Sequence, residues 1–491
     1  MGLGLLILVM IGKENLYLSA QPEITFFKIA YRRYTNYSIE PTPQYFKTTP
    51  DFGRRCTVNV GKNADLLGMT YLYVELPNIQ MENFSTNNGA SIKQFAWAEK
   101  PGLALINFIE IEIGGFIIDR HYGDWINIWN ELTQSSGLKK SYNKMIGNIK
   151  ELTDYSQTKP ITNLYIPLSF WFCQDTGLAI PLISLAHNDI KIHVEFNDID
   201  LCYKISPSYF INITNNFCIY KQGEQFYQIY QNNKVIGEFI KFDPINQILY
   251  YNPIKGKFLI PTIKDDPNYS LIGEQTGFVV NILSNSVVVK DEDFFKFNKP
   301  SLTNAYLLVN YIYLDNFERY NFLTKPNEYL IPVIQSLPEQ IGYSINNSYK
   351  LPFINPVKLI VWRALLLSNK ALNNQFNYMA AEENIINKSL LVINSINRMD
   401  INSFEYYTLI QKYQYNFVNN QKGINMYSFS LSPKELQPSG SLNFSKIDDS
   451  YLQLTFNKII NYQNPVSIKA YCIQYNLFRT SNGMGGLGFN I

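Results

Sequence analysis

Near the C-terminus, Gly483, Gly485 and Gly488 spell G-x-G-x-x-G, a spacing that lets backbone approach a pyrophosphate. That chemistry needs a strand before the glycines and a helix after them, and three residues follow Gly488. A flexible tail that packs under a neighbouring molecule is the expectation instead. The three histidines, His121, His187 and His193, could in number hold a zinc ion. His193, however, alternates in phase with Lys191 and Glu195, which predicts a solvated polar strand face. Glu110 and Glu112 lie two apart, as paired carboxylates for glycoside hydrolysis could, but the ordinary reading, a polar sheet face, is preferred. Cys472 is in phase with Ile468 and Ala470 and reads as a small buried hydrophobe. No phosphate loop, H-E-x-x-H or G-x-S-x-G occurs. No catalytic, cofactor-binding or metal-ligating residue is assigned, and the expectation is a protein that is no enzyme and carries no cofactor.

The elements that would position any such groups are short strands. Ile190, Ile192, Val194 and Phe196 alternate with Asp189, Lys191, His193 and Glu195, the pattern of a half-buried antiparallel strand. Ile109, Ile111 and Ile113 alternate with the two glutamates, and Gly114-Gly115 turns the chain into Phe116-Ile117-Ile118. Leu452, Leu454 and Phe456 repeat the theme. A helix is predicted after Tyr122, with Trp125, Trp129 and Leu132 on one stripe and Asp124 at the favourable end of the helix dipole. A second short helix is expected over Asn316 to Phe322. Residues 203–303 are rich in Asn, Tyr and Lys, and turn signals at Asn232-Asn233, Asp243-Pro244, Asn252-Pro253 and Asp266-Pro267 suggest a meander.

Composition narrows the function classes. The 491 residues suggest two or three domains. Charged residues are 17%, below the usual quarter, and aromatics reach 15%. Either an AT-rich genome or extensive buried interfaces would produce this bias. The net charge of +2 comes without a basic run, which argues against direct nucleic-acid binding. Cys56, Cys173, Cys202, Cys218 and Cys472 are scattered, without C-x-x-C, so a reducing compartment is expected. Met1 to Gly12 is apolar but lacks a basic flank and is too short to span a bilayer. Leu6 stands where a myristoylation motif wants Ser or Thr. This stretch reads as an arm that packs on the protein or on a neighbour. The sequons at Asn36, Asn83, Asn212, Asn268, Asn346, Asn387 and Asn443 are expected by chance in an Asn-rich chain.

One stretch is more particular. Tyr427 to Lys446, YSFSLSPKELQPSGSLNFSK, reads as two short strands around the turn Gln437-Pro438-Ser439-Gly440. It resembles a block near the end of the major capsid proteins of nucleocytoplasmic large DNA viruses. Four further stretches resemble the same family, in its order: Gln21 to Asn36, Ile109 to Thr133, Leu164 to Phe196 and Tyr306 to Leu330. Ala470 to Phe489, with YNLFRTSNGMGGLGF, ends the chain as the family does. Residues from about 335 to 415 match weakly, and 203–303 read as an insertion.

The resemblance implies an all-β chain of two tandem eight-stranded jelly rolls, a double jelly roll, with a β-rich insertion in the first. The expected division is an arm at 1–23, a first roll at 24–318 with insertion 203–303 as an outward tower or cap, a linker at 319–328, a second roll at 329–476, and a Gly-rich tail at 477–491. It also implies a structural protein of the virion capsid, assembled in the host cytoplasm, that forms a homotrimeric pseudo-hexagonal capsomer tiling an icosahedral shell. Expected partners are itself, minor capsid and penton proteins, and the inner viral membrane, with no direct nucleic acid. The rival readings are a minor or penton-associated paralogue, a transient membrane-shaping scaffold, and a glycan-binding jelly-roll protein using Trp97 or Trp171.

Overall fold

The computed structural model describes the chain except residues 1–4, 7–8, 11, 14–16, 18, 82–93, 231–232, 257, 262–268, 284–288, 291–298, 381–382, 398–402, 458–459, 463 and 490–491. About half of the expected N-terminal arm therefore lies outside the described residues.

Alternating apolar residues build two antiparallel sheets in the first half. The strands are β1 (Tyr37–Tyr45), β2 (Arg55–Asn59), β3 (Leu66–Leu76), β4 (Ile106–Ile113), β5 (Phe116–Tyr122), β6 (Thr162–Pro167), β7 (Ile190–Phe196) and β8 (Asn304–Leu314). One sheet runs β1-β8-β3-β6 and the other β2-β7-β4-β5. Leu72, Val74, Leu307 and Val309 from the first sheet meet Ile109, Ile111, Ile192 and Val194 from the second in one core. The Gly114-Gly115 turn joins β4 to β5 with φ of 61° and 90°, which suits glycine.

The second half repeats this order. β9 (Asn327–Ser336), β10 (Asn346–Lys350), β11 (Pro356–Leu366), β12 (Ile386–Ile393), β13 (Ile396–Asn397), β14 (Ile424–Ser428), β15 (Ser450–Phe456) and β16 (Val466–Ser481) form sheets β9-β16-β11-β14 and β10-β15-β12-β13. Ile360, Trp362, Leu391, Leu452, Leu454 and Cys472 fill the core between them. Each half is an eight-stranded jelly roll of identical strand order, so the chain is a double jelly roll. Among the helices at the joins between strands are the two that the sequence predicts. They are α1 (Gly123–Thr133), after β5, and α2 (Asn316–Thr324), between β8 and β9. The Asp315 carboxylate caps α2, accepting from Glu318 N–H at 2.9 Å.

Between β7 and β8 the chain builds a separate seven-stranded sheet, in the order Val279–Val280, Leu271–Gly273, Gln225–Tyr230, Asn233–Asp243, Ile248–Lys255, Tyr209–Asn212 and Val289–Lys290. Ile211, Phe226, Phe239, Leu249, Tyr251 and Phe258 give it a core of its own.

Several local expectations need correction. The first strand begins at Tyr37, not near Ile24. Residues 319–328 are the body of α2 and the start of β9, and the last roll strand runs on to Ser481. Asp243-Pro244 does turn the chain, with Asp243 Oδ1 accepting from Ile245 N–H at 3.0 Å. Asn252-Pro253 instead lies within a strand, where Pro253 sits opposite Gly237 at a register shift and so costs the ladder little. Asn232 and Asp266-Pro267 lie outside the described residues. The two strands of the Tyr427–Lys446 block do not pair with each other: β14 and Leu442–Asn443 both pair with β11. The Gly-rich tail is a strand, β17 (Met484–Leu487), folded back on β16. Asn482 and Gly483, with φ of 52° and 79°, make the two-residue turn that the right-handed strand twist favours.

Candidate assembly site

The two rolls meet through α1. Its apolar stripe, Trp125, Ile128 and Leu132, packs with Leu359, Val361, Ile424, Met426, Tyr471 and Ile473 on the outer face of a second-roll sheet. Each such buried side chain contributes about 1.5–3 kcal/mol. Gly123 starts the helix because a Cβ there would lie 2.4 Å from Leu103 O. In return Ile331, Val333 and Phe478 of the second roll join the first-roll core.

Charge is buried in the same seam. Asp124 Oδ2 lies 2.9 Å from Arg363 Nε and accepts from Tyr471 O–H at 3.0 Å, while Tyr378 O–H donates to Oδ1. Burial alone would raise the Asp124 carboxyl pKa, but Arg363, Lys469 and the tyrosine hydroxyls outweigh it and hold the group below its ordinary value. Lys469 lies over the Tyr122 ring at 3.7 Å. Asp119 Oδ1 accepts from Ile334 N–H at 3.1 Å, and Lys100 Nζ, on Glu131 at 2.6 Å, also reaches Gln421 at 3.4 Å. Asn373 Nδ2 donates to Asp200 O and Tyr203 O at 2.7 and 2.6 Å, tying the second roll to the base of the insertion. A cavity of about 380 Å³ lined by Asp200, Lys204, Asn252, Leu372 and Asn374 lies at that junction.

Large apolar side chains are also left in the open. Phe26, Phe27, Ile29, Tyr31 and Tyr34 are at least 73% exposed, and Phe317, Tyr320 and Leu323 on α2 at least 56%. A repeated jelly-roll frame and a locked seam, with large apolar side chains left exposed, describe a building block.

Comparison with known proteins agrees. Residues 25–232 match the family described as major capsid protein N-terminus, and residues 318–486 match large eukaryotic DNA virus major capsid protein. "Probable capsid protein 4" of Acanthamoeba polyphaga mimivirus is 34% identical over 508 residues, covering 99% of each chain. The chain belongs to the major capsid protein family of large eukaryotic DNA viruses. A second capsid relative, the "Major capsid protein" of Phaeocystis pouchetii virus, is 31% identical, again over 99% of each chain. The fold matches the Faustovirus major capsid protein with a TM-score of 0.67 at 13% identity, over 96% of this chain and 94% of that one. It matches the quasi-atomic capsid model of PBCV-1 with a TM-score of 0.64 at 20% identity, over 95% and 100%.

The residues that could have done chemistry serve this capsid frame. His193 does lie on the polar face of β7, but it is only 8% exposed, between Thr57 (2.8 Å) and Glu112 (2.9 Å), rather than solvated. Glu112 also accepts from Lys191 at 2.7 Å, and the Lys191 and His193 contacts hold its pKa below the ordinary value against a smaller opposing effect of burial. Glu110 is fully buried between Arg55 and Arg120. His121 pairs with Asp119 at 2.9 Å, and His187 N–H donates to Gly483 O at 2.9 Å, so the three histidines occupy different places. Among the described residues no group of three or more His, Cys, Asp or Glu side chains could hold a metal ion. Cys472 is buried, as expected. Trp97 and Trp171 are 0% and 1% exposed, so neither can stack on a sugar. Of the sequons, Asn36, Asn346, Asn387 and Asn443 are exposed and Asn212 half-buried; Asn83 and Asn268 lie outside the described residues. Sequence reasoning finds Asp124 at the helix start but misses its pairing with Arg363; a lone Arg in the apolar run VKLIVWRALLL is the available signal.

Proposed function

We propose that this capsid protein works as a homotrimer, each protomer supplying two rolls, so that six similar units surround a threefold axis and tile an icosahedral shell. The observation that carries this reading is the seam: two rolls of the same strand order held as one block by α1 and the Asp124–Arg363 pair. A block with two near-equivalent halves turns threefold symmetry into a pseudo-hexagon. The insertion leaves the first roll where β7 ends and β8 begins, and we assign residues 203–303 to an outward tower with its own core. Residues 37–314 and 327–481 then correspond to the two rolls.

Contacts with minor capsid and penton proteins and with an inner viral membrane, and assembly in the host cytoplasm, belong to the same proposal. So does the absence of enzymatic activity and of a cofactor, for which the buried states of Glu110, Trp97 and Trp171 speak. Among the described residues no helix is long and apolar enough to cross a membrane.

The test is to purify the recombinant chain, measure its mass by light scattering and image it. Threefold particles of three chains are expected, and a stable monomer would sink the reading. Counting copies per virion separates a main shell subunit from a scarce paralogue.

A further inference from the structure

Residues 24–36, ITFFKIAYRRYTN, run outside both rolls. Among the described residues their side-chain hydrogen bonds are Phe27 N–H to Thr25 Oγ1 at 3.3 Å and Thr35 Oγ1 to Glu318 Oε2 at 2.6 Å. Ile24, Phe26, Phe27, Ile29, Tyr31 and Tyr34 are between 73% and 101% exposed. Phe27, Ile29 and Tyr31 alternate with Lys28, Ala30 and Arg32, and Phe26 and Tyr34 add further aromatic surface, all of it exposed on the protomer. Lys28, Arg32 and Arg33 are interleaved, without an acid. An aromatic side chain buries roughly 150–250 Å², so the strap offers on the order of 1,000 Å² to a partner. One such strap given and one received per protomer reaches the range of stable interfaces.

Topology says where the strap hangs. The start of β1 pairs with the end of β8, Tyr37 with Leu314, and leads into α2. The turn between β4 and β5 lies beside the start of β7, Ile113 opposite Ile190. Ser184 Oγ donates to Phe322 O at 2.7 Å, and Asn188 Nδ2 to Gly485 O at 3.0 Å, so α2, the loop before β7 and the β16–β17 hairpin close the same end. The insertion departs from the opposite end. Phe116 (73% exposed), Ile117 (43%) and Met484 (59%) form a second apolar spot on the strap's own end, beside the exposed acid Asp189. From its anchor at Thr35 the strap reaches about 36 Å if extended, enough to pass under a neighbouring roll.

We infer that residues 24–36 are an exchange strap that docks on a second copy of this chain, against the Phe116–Ile117 turn and Met484, on the end opposite the insertion. The inference rests on the trimer proposed above and names a surface that holds it. Side chains, not strand addition, make the contact, because β1 carries Pro41 and Pro43 and an edge strand with prolines is a poor template for pairing. Passed from each copy to the next, the strap makes a head-to-tail contact that closes at three.

The full-length chain and its Phe26→Ser/Phe27→Ser/Tyr31→Ser variant are compared by light scattering over a dilution series. The variant is expected to dissociate at a concentration at least about 100-fold higher, with an unchanged protomer circular dichroism spectrum. A variant as trimeric as wild type overturns the inference and leaves the trimer standing; a monomeric wild type removes both. A benzophenone side chain at position 27, in mixed heavy- and light-isotope chains, is expected to crosslink to Phe116–Tyr122 or Met484–Leu487 of another copy. Adducts confined to one chain, or binding to phosphatidylserine vesicles without inter-copy adducts, overturn it.

Discussion

The carboxylate of Asp124 and the guanidinium of Arg363 lie 2.9 Å apart although 239 residues separate them, and they belong to different rolls. Arg363 is only 4% exposed, and its pKa is raised: burial acts against the charge, but Asp124 and the flanking Tyr378 and Tyr471 favour it more. Breaking one side of such a pair leaves an uncompensated buried charge. Asp124→Ala is therefore expected to cost about 3–5 kcal/mol. Chemical denaturation followed by Trp fluorescence should show the seam opening before the rolls unfold. The double change Asp124→Leu/Arg363→Met, which leaves no orphaned charge, should be milder than either single change; equal or greater loss would contradict this account.

Alkaline pH should first stabilise and then destabilise the protomer. Burial pushes the Lys358 and Lys412 pKa values down from 10.5 to about 8. Between those values the unfolded chain binds more protons than the folded one, so stability rises with pH, by at most about 1.4 kcal/mol per unit for each lysine. Above pH 10 the sign reverses, because burial raises Tyr311 and Tyr329 from 10.0 to about 12 and the unfolded chain loses those protons first. Melting temperatures from pH 7.5 to 11.5 should peak near pH 10.

Two glycine changes separate close approach from helix propensity. Gly123→Ala would put a Cβ 2.4 Å from Leu103 O and 2.5 Å from Ile106 O, displacing α1 from the seam, and should cost several kcal/mol, about the size of overpacking plus lost burial. Gly137→Ala, in the helix Ser136–Met145 with nothing within 4 Å, should be neutral or stabilising by up to about 1 kcal/mol. Thermal melts of the two variants test the contrast.

Excising residues 209–290 and joining the ends with a short Gly/Ser linker should leave both rolls folded, since the insertion buries Phe226, Phe239 and Tyr251 among its own residues. Circular dichroism and light scattering should report a smaller but still trimeric protein. Loss of folding would show that the tower base, including the Asn373 bonds to Asp200 and Tyr203, is needed by the rolls.

Much of the frame is legible in the residues alone. The alternation in Ile190 to Phe196 and Ile109 to Ile113, and the stripe of Trp125 and Leu132, are local patterns, and the strands and helix appear where those patterns place them. The capsid-like blocks are legible because they are contiguous stretches. The Tyr427–Lys446 block shows the limit: its two strands are visible, but their shared partner β11 is not, because pairing is chosen by the sheet and not by the turn between them.

What the sequence alone determined about this protein is its class: strands and, through contiguous blocks, two repeated sandwiches of a capsid family. The strands and the helix stripe follow from side-chain periodicity of 2 and 3.6, which each segment carries within itself. Tertiary structure decided everything that joins distant segments. It turned His193 from a solvated group into a buried link between Thr57 and Glu112, and closed Trp97 and Trp171 away from any sugar. It matched Asp124 to Arg363 and left residues 24–36 uncovered. The reason is common to all of these: burial and charge pairing depend on which surfaces meet across roughly 80 to 350 residues of chain, and loop closure on that scale leaves no local trace in the residues themselves.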